Sequence, residues 1–269
     1  MDKIKLSVKD RRILEELDKN ANITISRLAK RTGVSRQVAE YRLRKLLDQK
    51  TIYAFYTLVD VGRLGYSNFR VHLRIKNINQ ETYTKFAKEL FTEYPTFWVG
   101  FVSGSFDIIM DMFAKNPNEF EKVFSEILQK HKKIIQSYDT LAILELDLYE
   151  YGYFFHDNKN REMVQVHKNR KEVKLDEVDK KILKTTKHNS RMSYEMTGRK
   201  IGLTRNAVKN RIKRMEEKEI IAGYKAIVDF NHFGKQSFKI FIKYNNSKIH
   251  QEGELLKEIK ETPGILDIL

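Results

Sequence analysis

The chain of 269 residues has no cysteine. Disulfides, thiolate metal sites and cysteine nucleophiles are therefore excluded, and the composition fits a reducing compartment without requiring one. No apolar run approaches the roughly 18 residues needed to span a bilayer. The N-terminal "MDKIKLSVKDRR" lacks the apolar core of a signal peptide. A soluble cytoplasmic protein with no membrane partner is expected. Catalytic signatures are also missing: there is no G-x-G-x-x-G, P-loop, H-E-x-x-H or G-x-S-x-G pattern. The seven histidines are scattered without ligand spacing. No catalytic residue, metal or cofactor is therefore expected.

Positive charge, by contrast, is abundant. There are 51 Lys and Arg against 36 Asp and Glu, a formal net charge of +15. Such an excess attracts polyanions, nucleic acid first and an anionic membrane surface second. Its distribution is uneven. Residues 1–60 carry 14 basic and 8 acidic side chains, residues 61–150 carry 11 and 12, and residues 151–269 carry 26 and 16. A uniform lysine bias would not leave the middle neutral. Two basic flanks around a neutral module fit the charge better, and the length suits about two domains.

The flanks are copies of one unit. Asp10 aligns with Asp179, an offset of 169 (179 − 10). The offset holds through Gly33/Gly202, Arg36/Arg205, Arg42/Arg211, Ile52/Ile221, Asp60/Asp229, Gly65/Gly234 and Phe69/Phe238. Each copy opens with a capped helix. Ser7 and Asp10 have N-cap and N3 spacing, and Asp176 and Asp179 repeat it. In the first copy a second helix follows in "TISRLAKRTG", ended by Gly33 at a left-handed C-cap. Ser35 then caps a third helix, which reaches about Lys50. Ala39, Leu43 and Leu46 give that helix one buried face; Val208, Ile212 and Met215 do so in the second copy.

Opposite the buried face lie Gln37, Tyr41, Arg44 and Lys45 in one copy, and Asn206, Asn210, Lys213 and Arg214 in the other. Two helices joined by a short glycine turn, the second with a basic, amide-bearing outer face, make a helix-turn-helix layout. Gln and Asn can bond adenine edges and Arg can bond guanine, while Lys and further Arg hold phosphates. A charged outer face also occurs on an ordinary bundle helix, but the shared Gly–hydroxyl–Arg–amide opening in both copies favours DNA. The segments "TIYAFYTLVD" and "IIAGYKAIVD" read as strands or wings leaving the helices.

The middle reads as strand, helix, two strands, helix, strand. Its segments are "NFRVHLRI", "QETYTKFAKELFTEY", "TFWVGFVSGSFDIIMDMFA" turning at Gly104, "NEFEKVFSEILQKH" and "IIQSYDTLAILELDLY". This order is a ferredoxin-like βαββαβ sandwich. The expected organisation is a winged helix-turn-helix at 1–60, a βαββαβ domain at 61–155 and a polar linker at 156–173. A second winged helix-turn-helix follows at 174–229 and a partial second βαββαβ domain at 230–269. The partial domain has a strand in "SFKIFIKY" and a helix in "QEGELLKEIKET". It is either truncated or completed by another chain. The fold class is α+β.

The segments "LSVKDRRIL", "LAKRTGVSRQVAEYRLRKLLDQKTI", "YTLVDVGRLGY" and "VSGSFD", with "LDEVDKKIL", "RKIGLTRNAVKNRIKRMEEKEIIAGYKAIVDF" and "FGKQSF", resemble the Lrp/AsnC family of bacterial and archaeal transcriptional regulators. The resemblance implies a winged helix-turn-helix and a βαββαβ domain that forms homo-oligomers and often binds an amino-acid effector. It places the DNA-binding residues at Ser35, Arg36, Gln37, Tyr41, Arg44 and Lys45, and at Thr204, Arg205, Asn206, Asn210, Lys213 and Arg214. It places the effector region at Gly104 and Asp107, which also read as a turn glycine and a turn cap. Sirohaem decarboxylases of haem biosynthesis resemble the same fold and form the alternative reading, as does a scaffold that no longer binds DNA.

Overall fold

The computed structural model describes residues 6–76, 78–150, 163–166, 172–187, 189–242, 252–262, 265, 267 and 268. Three helices open the chain, α1 (Val8–Lys19), α2 (Ile25–Thr32) and α3 (Arg36–Asp48), followed by strand β1 (Ile52–Val59). Next come β2 (Ser67–Ile75), α4 (Gln80–Thr92), β3 (Thr96–Phe101), β4 (Ile108–Ala114), α5 (Pro117–Lys130) and β5 (Ile135–Ile143). After β6 (Leu146–Tyr149) and β7 (Met163–Val166), the second copy supplies α6 (Glu177–Thr186), α7 (Tyr194–Ile201), α8 (Arg205–Glu217) and β8 (Ile221–Val228). The described chain ends with α9 (Glu252–Glu261) and β9 (Asp267–Ile268). None of the described helices is long and apolar enough to cross a membrane.

The chain forms two compact units. One comprises Met1–Val59, Asp147–Val164 and Leu175–Ile268, and the other is built mainly from Asp60–Leu146.

The first unit holds both helix triplets, and local chemistry fixes their ends. The Ser7 hydroxyl accepts from the Asp10 N–H while the Asp10 carboxylate accepts from the Ser7 N–H, a reciprocal capping box. Asp176 accepts from the Asp179 N–H in the second copy. Thr24 and Ser193 cap α2 and α7, which end on Gly33 and Gly202 at φ 68° and 75°. Both glycines occupy the left-handed region that disfavours a Cβ, and this sets the tight turn into the third helix. Ile13, Leu14, Leu17, Leu28, Ala39 and Leu46 form the buried centre of the first triplet.

The strands leaving the triplets pair with each other. β1 runs antiparallel to β8, with Phe55 opposite Ala226, Tyr56 opposite Lys225 and Thr57 opposite Tyr224. The packing is exchanged across this ribbon: α1 packs on β8 and α6 on β1. The sequence leads one to expect the strands but not their pairing.

The second unit is the expected βαββαβ sandwich. Its antiparallel sheet has the order β3-β4-β2-β5. Alternate residues Phe69, Val71, Leu73 and Ile75 of β2 join Ile108, Met110 and Met112 of β4 beneath Phe86 and Leu90 of α4 and Phe120, Phe124 and Ile127 of α5. Asn116 caps α5 with Pro117 in its first turn, where a missing N–H leaves no bond unmade.

Three expectations need adjustment. The single last strand expected over 134–149 is divided into β5 and β6. Most of the expected linker lies outside the described residues, and its residues Met163–Val166 form a strand. The strand expected in "SFKIFIKY" is not formed among its described residues 237–242, where Phe238 and Ile240 are 78% and 77% exposed. In the first copy the aligned strand, β2, is bonded on both sides by β4 and β5. An alternating pattern becomes a strand only when a neighbour takes its backbone groups.

Candidate nucleic-acid interface

α3 and α8 present the expected residues to solvent. Ser35 and Thr204 are the N-caps, their hydroxyls accepting from the Val38 and Ala207 N–H groups at 3.2 Å. Both hydroxyls therefore serve the helix itself, while Arg36 and Arg205 occupy the first helical positions. Gln37, Tyr41, Arg44 and Lys45 are exposed, Tyr41 by 67%. Asn206, Asn210, Lys213 and Arg214 are exposed on α8. All twelve expected DNA-binding residues thus lie on the solvent side of the two triplets. Ala39, Leu43 and Leu46, and Val208, Ile212 and Met215, anchor the opposite faces.

The seating of α3 and of α8 depends on an arginine that sequence reasoning left out of the site. Arg42 donates to the Ser7 hydroxyl and to Asp10 Oδ1, both at 2.8 Å. Its counterpart Arg211 donates to Asp176 Oδ2 at 2.6 Å and to Asp179 Oδ1 at 2.8 Å. Each therefore ties the third helix to the capped start of the first. The signal was present, since Arg42 and Arg211 match across the repeat, but it reads equally as a DNA contact.

The carboxylates show the effect of these bonds. Burial pushes the Asp10 pKa up, but hydrogen bonds from Ser7 and Arg42 outweigh it and hold the pKa below the ordinary carboxylate value. The hydrogen bond from Arg211 lowers the pKa of Asp176. Arg214 donates to Asp179 Oδ2 at 2.6 Å, so one expected DNA contact is already part of an internal ion pair. Its counterpart Lys45 has no ion-pair partner among the described residues.

The ribbon carries further bonds between the copies. Lys225 Nζ donates to the Asp18 carbonyl at 2.9 Å and stands 3.6 Å from Asp18 Oδ1, both side chains being buried. Arg191 donates to the carbonyls of Ala21 at 2.6 Å and Ile23 at 2.9 Å and lies over the Phe55 ring at 5.3 Å.

In the second unit, Gly104 has φ 126° and its carbonyl accepts from Arg74 at 2.7 Å. Asp107 Oδ2 accepts from the Ile75 N–H at 2.8 Å, and Arg74 reaches Oδ1 at 3.4 Å. The carboxylate thus closes its own hairpin onto β2. On the sheet face away from the helices, Arg70 forms a two-point pair with Asp111, at 2.6 and 2.7 Å, with the Trp98 ring 5.6 Å from the guanidinium.

Residues 6–52 match the family model described as winged helix-turn-helix DNA-binding, and residues 175–216 match the AsnC-type helix-turn-helix domain. Over 61 residues the chain is 46% identical to an uncharacterised HTH-type transcriptional regulator of Pyrococcus horikoshii, covering 23% of this chain and 39% of the relative. It is 36% identical over 88 residues to an HTH-type transcriptional regulator of Methanocaldococcus jannaschii, covering 32% and 60%. The alignments thus span less than two thirds of either relative. In three dimensions a siroheme decarboxylase superposes with a TM-score of 0.52 at 13% identity, covering 81% of this chain and 65% of that one. That likeness concerns the fold. Fold and site together define a winged helix-turn-helix protein with an α+β sandwich. Residues 175–216 thus carry an AsnC-type helix-turn-helix domain, and the chain is similar to HTH-type transcriptional regulators.

Proposed function

We propose that the chain is a sequence-specific DNA-binding transcriptional regulator that engages duplex DNA through α3 and α8. One observation carries this reading. Two capped helices, each pinned by a buried-face triad and an arginine clamp, turn basic and amide side chains to solvent within one compact unit. The chemistry suits a duplex: amides and Arg for base edges, further cations for phosphates. No catalytic step is part of the reading. The sandwich is the oligomerisation and effector module in this account, with a small amino acid at the Gly104–Asp107 hairpin. Its ammonium would share Asp107 with Arg74 and loosen the hairpin's hold on β2.

Binding of a labelled duplex at moderate salt tests the proposal. Replacing Arg36 and Arg44 by Ala weakens binding, and so does replacing Arg205 and Lys213. Unchanged affinity in both variants contradicts it. Lys213 is the better choice than Arg214, whose loss also releases Asp179.

A further inference from the structure

We propose that the two repeat copies pair with each other and not with themselves, so that one chain offers two unlike readers in a fixed order to a DNA site with unlike halves. The proposal rests on the DNA reading above and adds the polarity of the site.

The ribbon has local two-fold symmetry. Under the 169-residue offset, Phe55 corresponds to Tyr224, Tyr56 to Lys225 and Thr57 to Ala226. The observed cross-strand pairs Phe55–Ala226 and Thr57–Tyr224 are therefore images of each other, and Tyr56–Lys225 sits across the axis. Register shifts fall at both ends, between Ile52 and Ala54 and between Leu58 and Val59. Two identical chains would make such a ribbon with the same residue on either side.

Here the sides differ, and the differences match. Lys225 meets Asp18 in a buried pair. The image of that pair is Tyr56 with Lys187, whose carbonyl accepts from the Thr57 N–H. Arg191 reaches across to the carbonyls of Ala21 and Ile23 and to Phe55. The image of Arg191 is Asn22, and that of Phe55 is Tyr224, which turns its hydroxyl to Glu216 of its own copy.

Either self-pairing loses these matches. Two second copies would set Lys225 against Lys225 and replace Asp18 by Lys187, leaving buried ammonium groups without a carboxylate. Two first copies would leave both Asp18 side chains without a cation and both pairs of carbonyls without Arg191. A buried charge stripped of its partner is strongly destabilising. Specificity of this kind comes from penalising the wrong partner as well as favouring the right one.

The readers so fixed are unlike. Gln37, Glu40 and Tyr41 on α3 correspond to Asn206, Lys209 and Asn210 on α8, all exposed. Glu40 is repelled by phosphate and can accept only from a base such as cytosine, whereas Lys209 favours phosphate.

Selection of bound duplexes from a random pool with the full chain tests this. The expected consensus has two unlike halves in one order and orientation. Inverted repeats of either half bind roughly tenfold or more weakly than the composite. Gln37→Ala with Tyr41→Ala relaxes one half only, and Asn206→Ala with Asn210→Ala relaxes the other. A palindromic consensus, or equal binding of the composite and both palindromes, overturns the inference and leaves the DNA reading intact. A chain with no salt-dependent affinity for any duplex removes the DNA reading, and the inference falls with it.

Discussion

Tyr56 and Lys225 face each other across the β1–β8 ladder, and each occupies the other's place in the repeat. A duplicated unit thereby builds within one chain the kind of symmetric contact that otherwise takes two. The contact is not symmetric in chemistry, because only the Lys225 side carries a charge, and Asp18 answers it. Burial, the foremost cause, together with the nearby Asp18 carboxylate pushes the Tyr56 pKa up to about 12, so that side chain stays neutral.

The Lys225–Asp18 pair should be costly to break and cheap to replace. Lys225→Ala is expected to lower unfolding stability by about 3 kcal/mol, because Asp18 stays buried without its cation. Lys225→Met combined with Asp18→Asn should recover most of that loss. Urea denaturation of the three proteins measures both effects.

Clamp and reader arginines should separate. Arg42→Ala removes two bonds to the start of α1 and should cost about 1.5–3 kcal/mol of stability, hydrogen bonds to charged groups being the stronger kind. Arg44→Ala removes an exposed side chain whose pair with Glu40 spans 3.9 Å, and stability should change by less than about 0.5 kcal/mol. Thermal melts distinguish the two, and both variants should weaken DNA binding, one through helix seating and the other through direct contact.

The helix-turn-helix units were legible because their signals are local. Ser7, Ser35, Gly33 and Gly202 sit where cap chemistry puts them. The sandwich was legible through period-two alternation in β2 and β4. The β1–β8 pairing was not, because a strand pattern states which face is buried but not which strand lies alongside. Arg42 was missed for a related reason: its partners lie 32 and 35 residues away, and nothing local distinguishes a clamp from a reader. The 237–242 stretch shows the converse, a strand pattern that forms no strand among the described residues.

Acid should destabilise the fold in a defined window. Asp10, Asp176 and Glu89 all have lowered pKa values, through Ser7 and Arg42, through Arg211, and through Lys130 and His131, the bonds to Asp10 and Glu89 overcoming burial. Unfolded carboxylates titrate near about 4. The stabilisation is thus complete above about pH 4 and is lost as pH falls through the lower folded values. Melting temperatures should hold from pH 7 to about 5 and drop below about 4, and Asp10→Asn should reduce the drop.

Asp111 should matter for stability although it belongs to neither helix-turn-helix copy. Asp111→Ala leaves the Arg70 guanidinium, 6% exposed, without its two-point partner inside the sheet. A loss of about 3–5 kcal/mol is expected. Replacing Arg70 by Met at the same time should soften it, as denaturant titration would show.

The central claim, that both recognition helices hold duplex DNA, is tested most directly by the slope of log affinity against log salt. The full chain should show a steep negative slope, since each phosphate contact releases counterions. Replacing Arg36 and Arg44, or Arg205 and Lys213, should each make that slope shallower by up to about 2. A slope near zero for the unaltered chain, or one that neither replacement changes, would contradict the account.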